Sequence, residues 1–343
     1  MRSADFDYPL PAERIAQVPL AARDGSRLLH LLPAGGLEDR CFRDLPDLLR
    51  PGDLLVVNDT RVRRARLKGV DVSGRDIELL VLAREARGEY QCLARPARLA
   101  TPGAVVRFGG DLRATVVGVS AMHRGGRTVI FDAEDPDGAI EREGVAPLPP
   151  YIHTELQDPE RYQTTYATGD PGSAAAPTAG LHFTPSVIER LREAGVGWAT
   201  LRLEVGLATF APIRTDRVED HPMHEERYAL PDTTVAAIEQ TQQHGGRVVA
   251  VGTTVVRVLE ACALEGGELH AGSGSTSLFI RPGHHFRSVD GLLTNFHQPR
   301  SSLLVLLAAF VGDEGWRTAY ARALGAGYRF LSLGDCMLCW RSP

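Results

Sequence analysis

Short apolar runs alternate with amphipathic stretches between Leu181 and Phe310, and this alternation constrains the fold more than any other feature of the chain. Arg247–Val251 (RVVAV) has strand length and no helical period; Gly252, Thr253 and Thr254 turn the chain, and Val255–Leu264 reads as a helix. Gly291–Phe310 (GLLTNFHQPRSSLLVLLAAF) follows the same plan. Its apolar start gives way to a polar loop with Pro299, and Ser301 or Ser302 then caps a helix with Leu303, Leu304, Leu307 and Phe310 on one face. Trp198–Val205 reads as a further strand and Thr233–His244 as a further helix. After Leu181, His182 and Phe183, Thr184 is placed to cap a helix opened by Pro185, with Val187, Ile188 and Leu191 inward. Ser277–Ile280, a helix around Trp316–Leu324 and Tyr328–Leu333 complete the series. A strand that ends where a helix begins must cross the sheet to re-enter it, so this order predicts parallel strands with crossover helices.

The first part of the chain supplies an amphipathic stretch at Pro11–Val18 and strands at Arg27–Leu32 and Asp53–Val57. From Val62 to Ala146 the texture changes. Ile77–Leu82, Tyr90–Ala94, Val105–Phe108, Ala114–Val119 and Thr128–Phe131 are short β-branched or alternating runs separated by Gly, Pro and Asp, the pattern of a small antiparallel barrel or sandwich. Pro147–Ile152 (PLPPYI) reads as a stiff connector leading out of it, and Gly169–Gly180 as a loop of small residues.

No apolar run reaches membrane-spanning length, and the start (MRSADFDYPLPAERIAQ) lacks the basic-then-apolar order of a signal peptide, so a cytoplasmic address is expected. The five cysteines are odd in number and scattered, as free thiols would be. Cys336 and Cys339 form a lone CxxC, which cannot make a four-thiolate zinc site and reads as two thiols packed in a C-terminal strand. A net charge of −5 excludes a wholly basic nucleic-acid wrapper. Locally, however, Arg61, Arg63, Arg64, Arg66 and Lys68 fall close together, and on an extended strand Arg64, Arg66 and Lys68 share one face. That run is either a charged edge strand or a phosphate-contacting face. Lys68 is the only lysine, with no GK[ST] around it, and neither GxSxG nor GxGxxG occurs. Kinase, hydrolase and dehydrogenase readings thus lack their anchors.

Polar residues gather where strands end. Asn58, Asp59, Thr60 and Arg61 follow one strand, and Thr294, Asn295, Phe296 and His297 follow another, at the positions where open α/β sheets hold ligands. Thr253 and Thr254 open a helix, which makes their turn either an anion or ribose site or an ordinary cap. His221 and His224 form HxxH beside Glu225 and Glu226, but a loop holding Pro222 and no third ligand favour proton transfer, substrate contact or structural hydrogen bonding over zinc. His182 and His297 each adjoin a phenylalanine at a strand-to-loop transition, and Glu204 lies in a strand between Leu203 and Val205. These residues describe an α/β enzyme with an all-β module and a site rich in His, Asn, Thr and carboxylates.

Eight strings in order carry a resemblance over nearly the whole chain: FDYPLPAERIAQ from Phe6, PGDLLVVNDTRV from Pro51, PLPPYI from Pro147, APTAGLHF from Ala176, DHPMHEE from Asp220, AVGTTVVRVLE from Ala250, GLLTNFHQPRSSLL from Gly291 and YRFLSLGD from Tyr328. The chain resembles the S-adenosylmethionine:tRNA ribosyltransferase-isomerase family of the queuosine pathway. The resemblance implies an α/β large domain, barrel-like with mostly parallel strands and crossover helices, at residues 1–61 and 149–343, interrupted by a small all-β barrel domain at residues 62–148. It implies transfer and isomerisation of the ribosyl moiety of S-adenosylmethionine onto 7-aminomethyl-7-deazaguanine in tRNA, with release of adenine and methionine. On this basis His182, His297, Glu204 and Asp59 are expected to be catalytic. Thr178, His221, His224, Thr253, Thr254, Arg257, Asn295, Phe296 and Asp335 would bind substrate, and Arg61, Arg64, Arg66 and Lys68 would meet tRNA. S-adenosylmethionine enters as co-substrate, no cofactor is permanently bound and no metal is expected; the partner is the anticodon region of tRNA, without a membrane, and the protein is a monomer. The chain departs from the family's usual pattern at Glu204, where the family usually has His, at Leu331 and Leu333, where it has aromatics, and at Ser302, where it has Thr. These departures leave two alternatives, a member acting on a small deazapurine or other amine and an inactive tRNA-binding protein.

Overall fold

Leu54–Asn58 (LLVVN) is buried at every position, as a continuous apolar run requires when both faces of its sheet are covered. The computed structural model describes residues 1–33, 35–120, 125–169, 171–206, 209, 211–263 and 268–342. It divides into two units, residues 1–61 with 149–343, and residues 62–148. In chain order come β1 (Arg27–Leu31), β2 (Leu37–Cys41), α1 (Leu45–Leu48), β3 (Leu54–Asn58) and β4 (Arg61–Val62). Next are β5 (Arg66–Asp71), β6 (Asp76–Arg84), β7 (Glu89–Arg95), β8 (Val105–Arg107), β9 (Arg113–Val119), β10 (Gly126–Asp132) and α2 (Pro136–Glu143). The chain continues with β11 (Pro171–Ser173), α3 (Pro185–Glu193), β12 (Gly197–Leu203), β13 (Glu226–Leu230), α4 (Asp232–Gln243) and β14 (Val248–Val251). It ends with α5 (Thr253–Cys262), β15 (Gly272–Thr276), β16 (Gly291–Asn295), α6 (Ser302–Gly325) and β17 (Cys336–Trp340).

The first unit is built on a nine-stranded sheet in the order β15-β13-β12-β3-β14-β16-β17-β1-β2. Alternate residues of β3 serve opposite cores: Leu54 and Val56 pack with Val255, Leu259 and Leu304 on one face, Leu55 and Val57 with Val187 and Leu191 on the other. Helices therefore cover both faces. The sheet is open and mixed, not barrel-like and mostly parallel. Pairing is parallel for β12–β3, β3–β14, β14–β16 and β17–β1. It is antiparallel for β15–β13, β13–β12, β16–β17 and β1–β2. The chain re-enters the sheet at Cys336, opposite Asn295 where β16 stops, so β17 has to run back along β16.

The helix caps follow the sequence. Thr184 Oγ1 accepts from Val187 N at 3.3 Å, and Ser301 Oγ accepts from Leu304 N at 3.2 Å. The separate helix expected around Trp316 is instead the second half of α6, which Gly312 interrupts with φ 78. Ser277–Ile280 and Tyr328–Leu333 are not strands; β15 and β17 lie beside them in sequence. α5 ends at Cys262, and Leu264 of the expected helix lies outside the described residues. Cys336 and Cys339 are buried free thiols in β17. Among the described residues no helix is long and apolar enough to cross a membrane.

The second unit is a closed antiparallel barrel in the order β10-β7-β6-β5-β8-β9, which decides between barrel and sandwich. Leu67, Leu79, Tyr90, Val106, Val116 and Phe131 are among its buried residues. At Gly69 a Cβ would sit 2.5 Å from the Arg107 carbonyl, a close approach of backbones that only glycine permits. The helix α2 was not expected; Asp135 caps it by accepting from Gly138 N at 3.1 Å. Entry and exit meet, since Arg66 and Val145 exchange backbone hydrogen bonds of 3.0 and 2.9 Å.

Candidate active site

The carboxyl ends of β14 and β16 open into a cleft whose lining mixes apolar and polar side chains. Gly252, at φ 91, makes the turn from β14 into α5, a left-handed conformation that disfavours any side chain. The turn places Thr253 and Thr254 in the cleft at the positive end of α5. Thr254 Oγ1 is buried with no hydrogen-bond partner. From the end of β16 come Thr294, Asn295, Phe296 and His297, and Thr178 enters from a 3-10 turn over Thr178–His182. Tyr151, Ser301, Leu331 and Ser332 complete the walls, with Leu331 at φ 70, which is rare for a residue with a side chain.

The two histidines stand on different sides of this wall. His297 lines the cleft, its Nε2 lies 3.0 Å from Thr294 Oγ1, and its backbone is clamped: Tyr8 donates to its carbonyl and its N–H donates to Tyr320 Oη at 2.8 Å. His182 sits one layer behind, in the 3-10 turn and not at a strand end. Asn295 Nδ2 donates to His182 Nε2 at 3.2 Å and to the Asp335 carbonyl at 3.4 Å, while Asn295 Oδ1 accepts from Thr178 at 3.0 Å. A carbonyl can only accept, so the amide orientation is set, and with it the tautomer: His182 donates through Nδ1 to Ser26 Oγ at 2.8 Å. Burial holds both imidazoles neutral, pushing His182 down to about 4 and His297 to about 3 from an ordinary 6.5.

A second pocket adjoins the first through shared Thr209 and Leu303, and holds His221, His224 and Arg257. Arg257 does not offer a free guanidinium to a substrate carboxylate. It pairs with buried Glu226 and donates to the carbonyls of Leu278 (3.2 Å) and Thr276 (3.4 Å). His221 packs edge-on against Phe279, and burial lowers its pKa first, with His224 adding to the effect. No three His, Cys, Asp or Glu groups among the described residues come together to hold a metal ion.

Other expected residues lie outside the lining of the cleft. Asp59 accepts from Thr168 Oγ1 at 2.7 Å and pairs with Arg202 at 3.3 Å. Strand β12 stops at Leu203, so Glu204 is just beyond it and half-buried, its carboxylate against Gly172. Asp335 accepts from the backbone N–H groups of Arg27 (2.9 Å) and Arg329 (2.8 Å), a peg between chain segments. In the basic run, Arg61 pairs with Glu160 at 3.6 Å, Arg63 with Asp137 at 3.9 Å and Arg66 with Glu78 at 3.6 Å. Arg64 precedes β5, and its backbone N–H donates to Glu141. Strand β5 lies between β6 and β8 and so is not an edge, with Lys68 exposed opposite Glu78. Reading by motif missed Tyr8, Ser26, Tyr320 and the Tyr151–Ser332 hydrogen bond of 2.7 Å. Tyr8 does stand within FDYPLPAERIAQ, one of the strings that carry the resemblance, and Tyr151 within PLPPYI, which reads as a connector.

A family model described as "Queuosine biosynthesis protein" matches residues 3–339. The chain belongs to this family. A relative from Moorella thermoacetica, named S-adenosylmethionine:tRNA ribosyltransferase-isomerase, is 50% identical over 343 residues, covering 98% of this chain and 99% of the relative. One of the same name from Azoarcus sp. is also 50% identical, over 98% of this chain and 97% of its own length. The crystal structure of S-adenosylmethionine tRNA ribosyltransferase from Thermotoga maritima matches with a TM-score of 0.57 at 38% identity, covering 98% of this chain and 99% of that one. Family membership thus covers both units.

Proposed function

We infer that this chain is an S-adenosylmethionine:tRNA ribosyltransferase-isomerase. It transfers the ribosyl moiety of S-adenosylmethionine to 7-aminomethyl-7-deazaguanine in tRNA, forms epoxyqueuosine and releases adenine and methionine. The observation that carries this reading is identity of 50% to a relative of that name across 98% of the chain. The reaction needs a base for the ribose carbon made acidic by the neighbouring sulfonium, an acid for the leaving adenine, and an exit for the amine proton when the acceptor attacks. Closure of the epoxide then expels methionine.

His297, neutral and lining the cleft, is assigned the proton from the ribose carbon. Asn295, held by His182 and Thr178, orients the ribose hydroxyls, so His182 acts through Asn295. Thr253 and Thr254 hold the nucleoside or carboxylate at the positive end of α5. His221 and His224, in the adjoining pocket, serve the rest of the substrate. Glu204 and Asp59 keep a supporting role behind strand ends, and Arg66 and Lys68 are assigned to tRNA phosphates. The reading carries with it a cytoplasmic monomer that engages the anticodon region.

The test is to mix the protein, S-adenosylmethionine and tRNA bearing 7-aminomethyl-7-deazaguanine, and to follow adenine release and tRNA mass together. A matched gain of the ribosyl-derived unit on tRNA is expected. Adenine released without that gain would point to a small amine acceptor, and no release would make the chain an inactive binder.

A further inference from the structure

On the far side of His182 from Asn295 lies a separate pocket, in whose wall His182 is the only residue that the expected roles use. Arg23 and Arg161 stand in its wall with Ser26, and its remaining sides are mainly apolar, from Pro19, Leu20 and Leu181. No carboxylate lines it among the described residues. Each arginine has a structural task. Arg161 donates to the carbonyls of Leu20 (2.6 Å) and Ala21 (3.1 Å), and Arg23 to those of Glu160 (2.8 Å) and Leu181 (3.1 Å). A third guanidinium, Arg329, holds the Val18 carbonyl of the same segment.

Those tasks do not use all the donors. Arg161 Nε, on a guanidinium that lines the pocket, is buried without a partner, a costly arrangement unless something accepts from it; Arg329 Nη1 is likewise unpartnered but does not line the pocket. Ser26 Oγ accepts from His182, which leaves its hydroxyl proton to give. Burial lowers the pKa of Arg23, and the charge of Arg161 lowers it further, while Asp158 and Glu160 only partly offset this. Clustered, partly desolvated guanidiniums with spare N–H groups fit a tetrahedral oxyanion better than any neutral ligand.

We propose that this pocket binds a phosphate of the RNA strand that carries the acceptor base. This rests on the tRNA reading above. Ser332 lines both this pocket and the reaction cleft, so an anion held here lies one layer of side chains from the cleft. A base in the cleft is attached to a sugar-phosphate chain that has to leave it, and the apolar walls beside the arginines suit a sugar.

The test uses the full-length protein, an unmodified tRNA transcript and fluorescence anisotropy over a salt series. Arg23→Gln with Arg161→Gln is expected to weaken tRNA at least tenfold, and to reduce the slope of log affinity against log salt by about 0.7–0.9, one phosphate. S-adenosylmethionine affinity should stay within twofold. Arg161→Lys keeps the charge and should keep the slope, which controls for damage to the Leu20–Ala21 segment. Inorganic phosphate replacing chloride at equal ionic strength should raise the melting temperature of the wild type and not that of the double variant. An unchanged salt slope overturns the proposal; if inorganic phosphate still protects in that case, the anion is a free one and not RNA. Wild-type tRNA binding without adenine release would sink the catalytic reading and leave this one standing.

Discussion

His297 owes its state to burial, with no carboxylate beside it, which makes it a neutral acceptor ready at pH 7. His297→Ala should lower adenine release by about 10²–10⁴-fold, the usual worth of a positioned base, with S-adenosylmethionine binding nearly intact. An unchanged rate removes it from the chemistry. The same burial sets a sign for acid stability. Both histidines have folded-state values below the ordinary 6.5, so the unfolded chain takes up protons first as pH falls; stability is full above about 6.5 and drains away towards 4 and 3. For His182 alone this amounts to at most roughly 2 kcal/mol between pH 7.5 and 5.0, so urea unfolding of His182→Gln should show a visibly flatter pH dependence than the wild type. Thr254→Val removes a buried hydroxyl that has no partner. Its stability should match the wild type within about 0.5 kcal/mol, whereas KM for S-adenosylmethionine should rise severalfold; an unchanged KM would mean that this hydroxyl meets no substrate.

At the level of elements, the β14–α5 turn joins fold to function through one backbone angle. Gly252→Ala forces a side chain into φ 91 and should cost at least about 1 kcal/mol in chemical denaturation, with a larger loss in S-adenosylmethionine affinity as Thr253 and Thr254 shift. Equal affinity in that variant would separate the turn from the site. The elements legible in sequence were those with a single physical explanation. VVAV and GLLTN are buried throughout, and their apolar runs VVAV and LL reflect a sheet covered on both faces; Ser301 and Thr184 cap helices by hydroxyls placed where the sequence puts them. The illegible ones bury little. Strand β2 (LEDRC) at the sheet edge and β15 (GSGST) carry polar or small residues with no apolar alternation, and α2 is too short to display a period. The histidine turn before α3 looked like a strand end because Leu181 and Phe183 are apolar, yet both are buried from a 3-10 turn.

For the whole molecule, sheet order decides which strand ends meet. Sequence marked polar residues after β3, β14 and β16 and a carboxylate, Glu204, within the strand that became β12, but it is the neighbours β14 and β16 that bring Thr253, Thr254, Asn295 and His297 into the cleft, while Asp59 pairs with Thr168 and Arg202 and Glu204 lies against Gly172. Order is set by crossovers between distant segments, and local patterns do not encode it. The barrel is a separate compact unit with buried apolar residues of its own. Leu67→Ala, at a fully buried barrel position, should cost that unit about 2–5 kcal/mol and split denaturation into two transitions, with S-adenosylmethionine protecting only the later one. A single transition shifted as a whole would mean that the two units unfold together. The paired backbones of Arg66 and Val145 also matter to a chain that has not yet folded. Before the barrel forms, bringing β3 beside β12 means closing a loop that includes all of residues 62–148; afterwards those residues behave as a short hairpin, the loop is shortened to well under half, and the entropy saved is roughly 1 kcal/mol. That saving goes to the sheet and not to the insertion: a barrel already folded shortens the loop that β3 and β12 have to close, so a chain whose insertion is slow to fold should also be slow to build its cleft.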